Sequence, residues 1–251
     1  MSRPSHLLAA YVAARRRDLG LTQEQLAERS NLSPSIIKKI EQGLRPATDQ
    51  VLAALFTALE IPRWYFQHVM HLTAPNMIPS ILGATFHRPT RKDLRVLADY
   101  NGATCYQTLP DFTVAAANQR YLDSFPGLVP GGNIIEWMLL DDRAVEAMGE
   151  TGLEREAHLI VHAFKMLSFG LIPHDERNRM IDTFSKADSW ERLWTTDVPV
   201  EDIPRDTVMV RDPGTGLLRP HYLTITSTEF PDRPWWIYHL ADTDGPLAFT
   251  T

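Results

Sequence analysis

One cysteine, Cys105, stands in the whole chain, so no disulfide can form within it. That scarcity fits a reducing interior, and the sequence is read as that of a cytoplasmic protein. Long apolar runs are missing as well. None reaches the ~18 residues that a membrane-spanning helix needs, so no membrane association is expected. The first residues, MSRPSHLLAAYVAARRRD, place their basic cluster after a short apolar segment, the reverse of a secretory signal. Catalytic signatures are lacking in turn. No G-x-S-x-G elbow occurs to activate a serine. The DPGTG run lacks the Gly-Lys-Ser/Thr ending of a phosphate loop and reads as a turn between strands. His158 and His162 have a spacing that can hold zinc, but their run is HLIVH rather than H-E-x-x-H. Lys165 continues the same face, and a nearby ammonium disfavours a bound cation. Cys105, inside a predicted strand, reads as a small buried hydrophobe. No enzyme, cofactor or metal site is expected.

Excess positive charge is lacking too: 25 Lys and Arg face 31 Asp and Glu, for a net charge of -6. Its distribution is uneven. Residues 1–72 carry nine basic and six acidic side chains, and the remainder carries sixteen basic and twenty-five acidic ones. Such asymmetry suggests two jobs in one chain. With 251 residues and a hydrophobic content of 44%, two domains with buried cores are expected.

What is present is most orderly near the start. Leu8, Val12 and Leu19 share one helical face, with Arg15 and Arg17 predicted to point elsewhere. Gly20 reads as the stop. The run TQEQ begins a second helix with a capping box of Thr22 and Gln25. Leu26 and Ala27 face inward. After a turn, Ser33 caps a third helix and Pro34 fits its first position, where no amide hydrogen is needed. Ile36, Ile37 and Ile40 lie on the inner side of that helix. Ser35, Lys38, Lys39 and Gln42 recur at i, i+3, i+4 and i+7 and form one polar outer face. Gly43 ends it. A fourth helix is predicted from 48 or 49 to 59 and a fifth from Pro62 to near Met70. Two short helices joined by a tight turn, the second with cations and amides outward, suit a duplex major groove.

Through the runs LTQEQLA, SPS and IEQG, residues 5–71 resemble the XRE-family helix-turn-helix domain of the Cro and phage-repressor type. The resemblance implies an all-α five-helix fold and double-stranded DNA as partner. It implies that Gln23 touches a phosphate and that Ser35 and Lys39 reach base edges, with Lys38 and Gln42 beside them. Ser33 at the head of the same helix and Arg45 after the EQG turn complete the candidate DNA-binding set. Arg16 and Glu41 match an ion pair that ties the first helix to the third. Pro34 departs from the family, standing where several relatives place a base-reading polar residue.

Residues 73–98 mix Pro, Gly and a basic cluster and read as a linker, with a short helix near 78–82. Beyond it the texture changes. ATCYQTL and FTVAAAN read as a β-hairpin turning at Pro110 and Asp111, followed by a short helix QRYLDSF. NIIEWMLLDDRAVEAM is helical with an acidic break. Residues 153–171 form an amphipathic helix, 175–185 another, and SWERLW a short one. DTVMVRD and LLRPHYLTITSTEF form a second hairpin, and PWWIYHL pairs next. Two strands first, helices between and three strands last give an α+β layout with an antiparallel sheet. The pieces AAANQRYLDSF, VPGGNIIEWML, SWERLWTTDV and PGTGLLRPHYLTI resemble the MmyB-like domain, a PAS-like ligand-binding fold found fused to XRE-type modules. GGN replaces the usual Gly-Arg-Asn, and RPHYL keeps part of a His-containing strand pattern. The resemblance implies a small apolar ligand, such as a fatty-acid-like chain, between sheet and helices. Candidate lining residues are Trp137, Phe164, Trp194, Trp236 and Tyr238, with Asn118, Asn133 and His221 as polar anchors. For each, a core or capping role is the competing reading.

The expectation is a DNA-binding head (1–72), a linker (73–98) and a sensor body (99–251) that together act as a homodimeric transcription regulator. The first alternative replaces the ligand sensor by a protein-interaction module. An enzyme fused to a DNA-binding head is the weakest reading.

Overall fold

The computed structural model describes residues 4–73, 88–199, 202–203, 206–227 and 235–243. The short helix expected near 78–82 lies outside them. The chain divides into two compact units: Met1–Ala84 with Ala163–Arg179, and Thr85–His162 with Met180–Thr251.

The first unit begins with helices α1 (Pro4–Asp18), α2 (Gln23–Ser30), α3 (Pro34–Glu41), α4 (Asp49–Ala58) and α5 (Arg63–Thr73). Local chemistry sets their ends. The capping box of α2 is made on both sides: Gln25 N–H donates to Thr22 Oγ1 and Thr22 N–H to Gln25 Oε1. Ser33 Oγ accepts from the Ile36 amide at the head of α3, and Gly43 closes that helix at φ +68°. Val12, Leu26, Ile37, Ile40, Leu55 and Phe56 fill the core between these helices. The same core takes Met166, Leu167 and Phe169 from the distant segment 163–179.

Arg15 corrects the sequence reading. It was expected to point away from the apolar face and is buried instead, at 4% exposure. Its Nε donates to the Leu59 carbonyl (3.1 Å), Nη1 pairs with Asp18 Oδ2 (2.6 Å), and its guanidinium lies 5.3 Å from the Phe169 ring centre. A buried guanidinium is tolerable because each of these contacts replaces lost water.

The second unit is built on a five-stranded antiparallel sheet. Strands β1 (Ala103–Thr108), β2 (Val114–Ala117), β3 (Thr207–Arg211), β4 (Leu218–Ser227) and β5 (Trp235–Asp242) lie in the order β2-β1-β5-β4-β3. The last strand in sequence therefore sits at the centre and joins the two hairpins, with Cys105 opposite Tyr238 on one side and Ile225 opposite it on the other. Within the stretch read as a linker, Arg91–Ala98 forms helix α6, capped by a Thr90–Asp93 box. Leu97 of α6 packs with Tyr106, Ala116 and Trp235 on one face of the sheet. Between β2 and β3 run α7 (Gln119–Ser124), α8 (Ile134–Leu140), α9 (Arg143–Met148), α10 (Glu150–Leu167), α11 (His174–Phe184) and α12 (Trp190–Thr195). The expected acidic break separates α8 from α9 at Asp141 and Asp142. Helices α10 and α11 each supply residues to both units.

Candidate nucleic-acid interface

Helix α3 is strongly two-sided. Ile37 and Ile40 are buried and Ile36 packs beside them, while Ser35, Lys38, Lys39 and Gln42 are all exposed. Period-3.6 spacing alone separates the two sets. Gln42 is also the C-cap of α3, its backbone N–H reaching the Lys38 carbonyl. Arg45 follows on the exposed turn after Gly43. Among the described residues neither lysine nor Arg45 has an ion-pair partner, so their charge is available to a ligand. Ser33 is exposed, but its hydroxyl oxygen is engaged as the N-cap.

Behind that face lies a compact ionic network. Arg16 Nε donates to Glu41 Oε1 (2.6 Å) and Nη2 to Oε2 (3.0 Å), a bidentate pair. Arg16 Nη1 also donates to the Leu21 carbonyl at 2.6 Å. Gln23 Nε2 donates to Glu41 Oε2 at 2.8 Å. One carboxylate therefore links α1, α2 and α3. Burial opposes the charge on Glu41, but the hydrogen bonds from Arg16 and Gln23 outweigh it and hold the carboxyl below its ordinary value. The hydrogen bond to Glu41 correspondingly raises the affinity of Arg16 for its proton. The resemblance to the XRE family implied the Arg16–Glu41 pair; the Gln23 arm emerges from the packing of α2 against α3.

Residues 12–63 match the helix-turn-helix family HTH_3. The N-terminal unit carries a helix-turn-helix domain. The match supports a DNA-binding transcription regulator. Among solved structures, the chain is similar to the wild-type restriction-modification controller protein C.Esp1396I. The identity is 29%, the alignment covers 27% of this chain and 87% of that one, and the TM-score is 0.26. A tetramer of the same controller with its natural 35 base-pair operator matches at 27% identity, 30% and 97% coverage and a TM-score of 0.27. The clp gene regulator ClgR from Corynebacterium glutamicum matches at 27% identity, 38% and 92% coverage and a TM-score of 0.27. No curated protein matches the chain.

In the helix-turn-helix domain the arrangement offers two cations, an amide and a hydroxyl on one rigid outward face, with a third cation beyond its C-terminus. Such groups suit phosphate oxygens and the acceptor edges of purines.

The second set of candidates, those for a small ligand, is placed differently. Asn118 is the N-cap of α7: its Oδ1 accepts from Tyr121 N–H (2.9 Å) and Thr104 N–H (3.1 Å), and its Nδ2 donates to the Gly102 carbonyl (2.9 Å). Asn133 caps α8 through Ile135 and Glu136 amides and donates to the Asp111 carbonyl at 2.6 Å. Trp137 is buried, with Nε1 donating to the Pro126 carbonyl at 3.0 Å. Edge contacts run from Trp137 to Phe125 and from Tyr121 to Tyr238, with Tyr121 tilted on Phe125. Tyr121 and Phe125, which the sequence reading passed over, thus join two of the candidates. Trp236 is buried on β5, and Trp194 stacks on Trp190 at 4.8 Å. Phe164 belongs to the N-terminal unit rather than to the sheet unit. His221 faces Asp242 (Nδ1 to Oδ1, 3.2 Å) and lines a pocket of about 150 Å³ with Asn101, Arg120, Ser124 and Val210. Most of that wall is polar.

Proposed function

We propose that the chain is a sequence-specific transcription regulator. Its helix-turn-helix domain binds double-stranded DNA as a homodimer in the cytoplasm, and its sheet unit is a PAS-like, MmyB-like sensor for a small apolar ligand. The observation that carries the first part is the outward face of α3: Ser35, Lys38, Lys39 and Gln42 are exposed over a buried isoleucine side, and Glu41 anchors that helix to α1 and α2. A single such helix reads one half-site, so two-fold pairing doubles the contact set. The layout of two strands, helices and three strands supports the sensor reading, and a ligand would act through its unequal affinity for DNA-competent and incompetent arrangements.

A second reading has its own support. The amides of Asn118 and Asn133 are consumed by backbone groups, and Trp137 and Trp236 are packed away. A filled core of this kind favours a sheet unit that engages another protein and holds no small ligand.

Selection of binding sites from random duplexes, with and without a lipid extract, tests the proposal. An enriched palindromic site with half-sites about 10 base pairs apart is expected, weakened in the presence of the active extract. No enrichment in either arm would sink the DNA-binding reading. Enrichment unaffected by lipid, with no adduct in native mass spectrometry, would favour the interaction module.

A further inference from the structure

The seat of residues 163–179 lies on α1, entirely inside the N-terminal unit. Tyr11, wholly buried, donates its hydroxyl to the Met166 carbonyl at 2.8 Å. Gly170 takes φ +64°, and a Cβ there would lie 2.7 Å from the Ala10 carbonyl carbon and oxygen and 2.9 Å from the Tyr11 nitrogen. Only glycine permits backbone to approach backbone this closely. Phe169 is clasped by two guanidiniums, Arg15 at 5.3 Å and Arg177 at 4.6 Å from its ring centre, and Arg177 Nε donates to Ser168 Oγ at 2.8 Å.

Two like charges against one ring make this seat less comfortable than an apolar one. Asp18, paired with Arg15, supplies nearby negative charge. The seat and the recognition helix also share α1: Tyr11 and Arg15 hold the segment, and Arg16, the next residue, holds Glu41 at the end of α3.

We propose that residues 163–179 are a releasable strap on α1, and that its seating sets how firmly the recognition helix is held for DNA. With the strap seated, Arg15 and Arg16 project from a fixed helix and α3 is presented in one pose. With the strap released, α1 loses the Met166 hydrogen bond and the Phe169 contact, frays, and loosens its hold on Glu41. The inference adds a regulatory element to the proposed function, and its first readout does not depend on DNA.

The test uses the full chain and Gly170→Ala, whose methyl group strikes the α1 backbone. Hydrogen exchange of α1 amides is expected to accelerate at least tenfold, while β1 amides keep wild-type protection. Affinity for a selected operator is expected to fall at least fivefold. Unchanged exchange in α1 overturns the strap, whatever happens to DNA binding. Faster α1 exchange with unchanged operator affinity overturns its coupling to recognition. If Gly170→Ala fails to fold, Tyr11→Phe, which removes one hydroxyl, is read by the same two measurements and the same rule. Absence of any operator in the wild-type selection would instead fault the DNA-binding reading and leave the exchange arm to judge the seat.

Discussion

Glu41 is pulled in opposite directions by burial and by its donors, and the donors win. Its folded carboxyl therefore titrates below the ordinary value of 4.5, so its contribution to stability is complete above that value and is lost as pH falls through the lower, folded one. Glu41→Gln should flatten the acid limb of a stability-versus-pH curve; an acid limb identical to wild type would show that the network is not felt. Arg16→Met leaves a nearly buried carboxylate without its cation (side-chain exposures of 12% and 6%) and should cost about 3 kcal/mol in denaturant unfolding. Lys39 answers to a different measurement. Replacing it by alanine should leave stability near wild type and weaken a selected operator by about 1–3 kcal/mol if it reads a base. Cys105 is fully buried, and burial pushes its thiol up to about 12. Alkylation at pH 8 should thus await unfolding, and rapid labelling of the native chain would contradict the packing around Tyr121.

At the scale of elements, the outer face of α3 and the turn beyond it present three cations: Lys38, Lys39 and Arg45. If all three meet phosphates or bases, each head should contribute a slope of about -2.7 to log K against log salt, and Lys38→Ala should reduce it by about 1. Fluorescence anisotropy across a salt series decides this; a flat dependence removes the contact assignment. Asn118 joins α7 to β1 with three strong hydrogen bonds. Asn118→Ala should cost about 2 kcal/mol or more by orphaning buried amides, whereas a side chain kept for a ligand would leave unfolding unmoved. Helix ends were readable because caps are local: Thr22, Ser33 and Gly43 act where the sequence puts them. Helix α6 is hard to read from sequence because its apolar side is short: Leu94, Leu97 and Ala98 share one face at i, i+3 and i+4, and of these Leu97 alone is buried. Its signal was the Thr90-x-x-Asp93 capping box, hidden in a basic, proline-containing stretch.

At the scale of the whole molecule, periodicity told that 153–171 buries one side but not what covers it. Apolar residues name a face, and any apolar surface satisfies it. For residues 163–171 the partner is α1, with the Tyr11 hydroxyl donating to the Met166 carbonyl across 155 positions, whereas residues 153–162 belong to the sheet unit. Arg15 was misread for the same reason: a guanidinium is sent to solvent by pattern rules and is buried when a carbonyl, a carboxylate and a ring converge on it. The sequence by itself determined the helix-turn-helix frame, the polar face of α3 and the antiparallel strands, because caps, 3.6-residue spacing and two-residue alternation act over a few neighbours. Tertiary structure alone decided that β5 is central, that a downstream segment completes the DNA-binding unit, and that Gln23 reaches Glu41. Those outcomes depend on which distant surfaces meet, and contact between distant surfaces is set by the packing of the folded chain rather than by any local pattern.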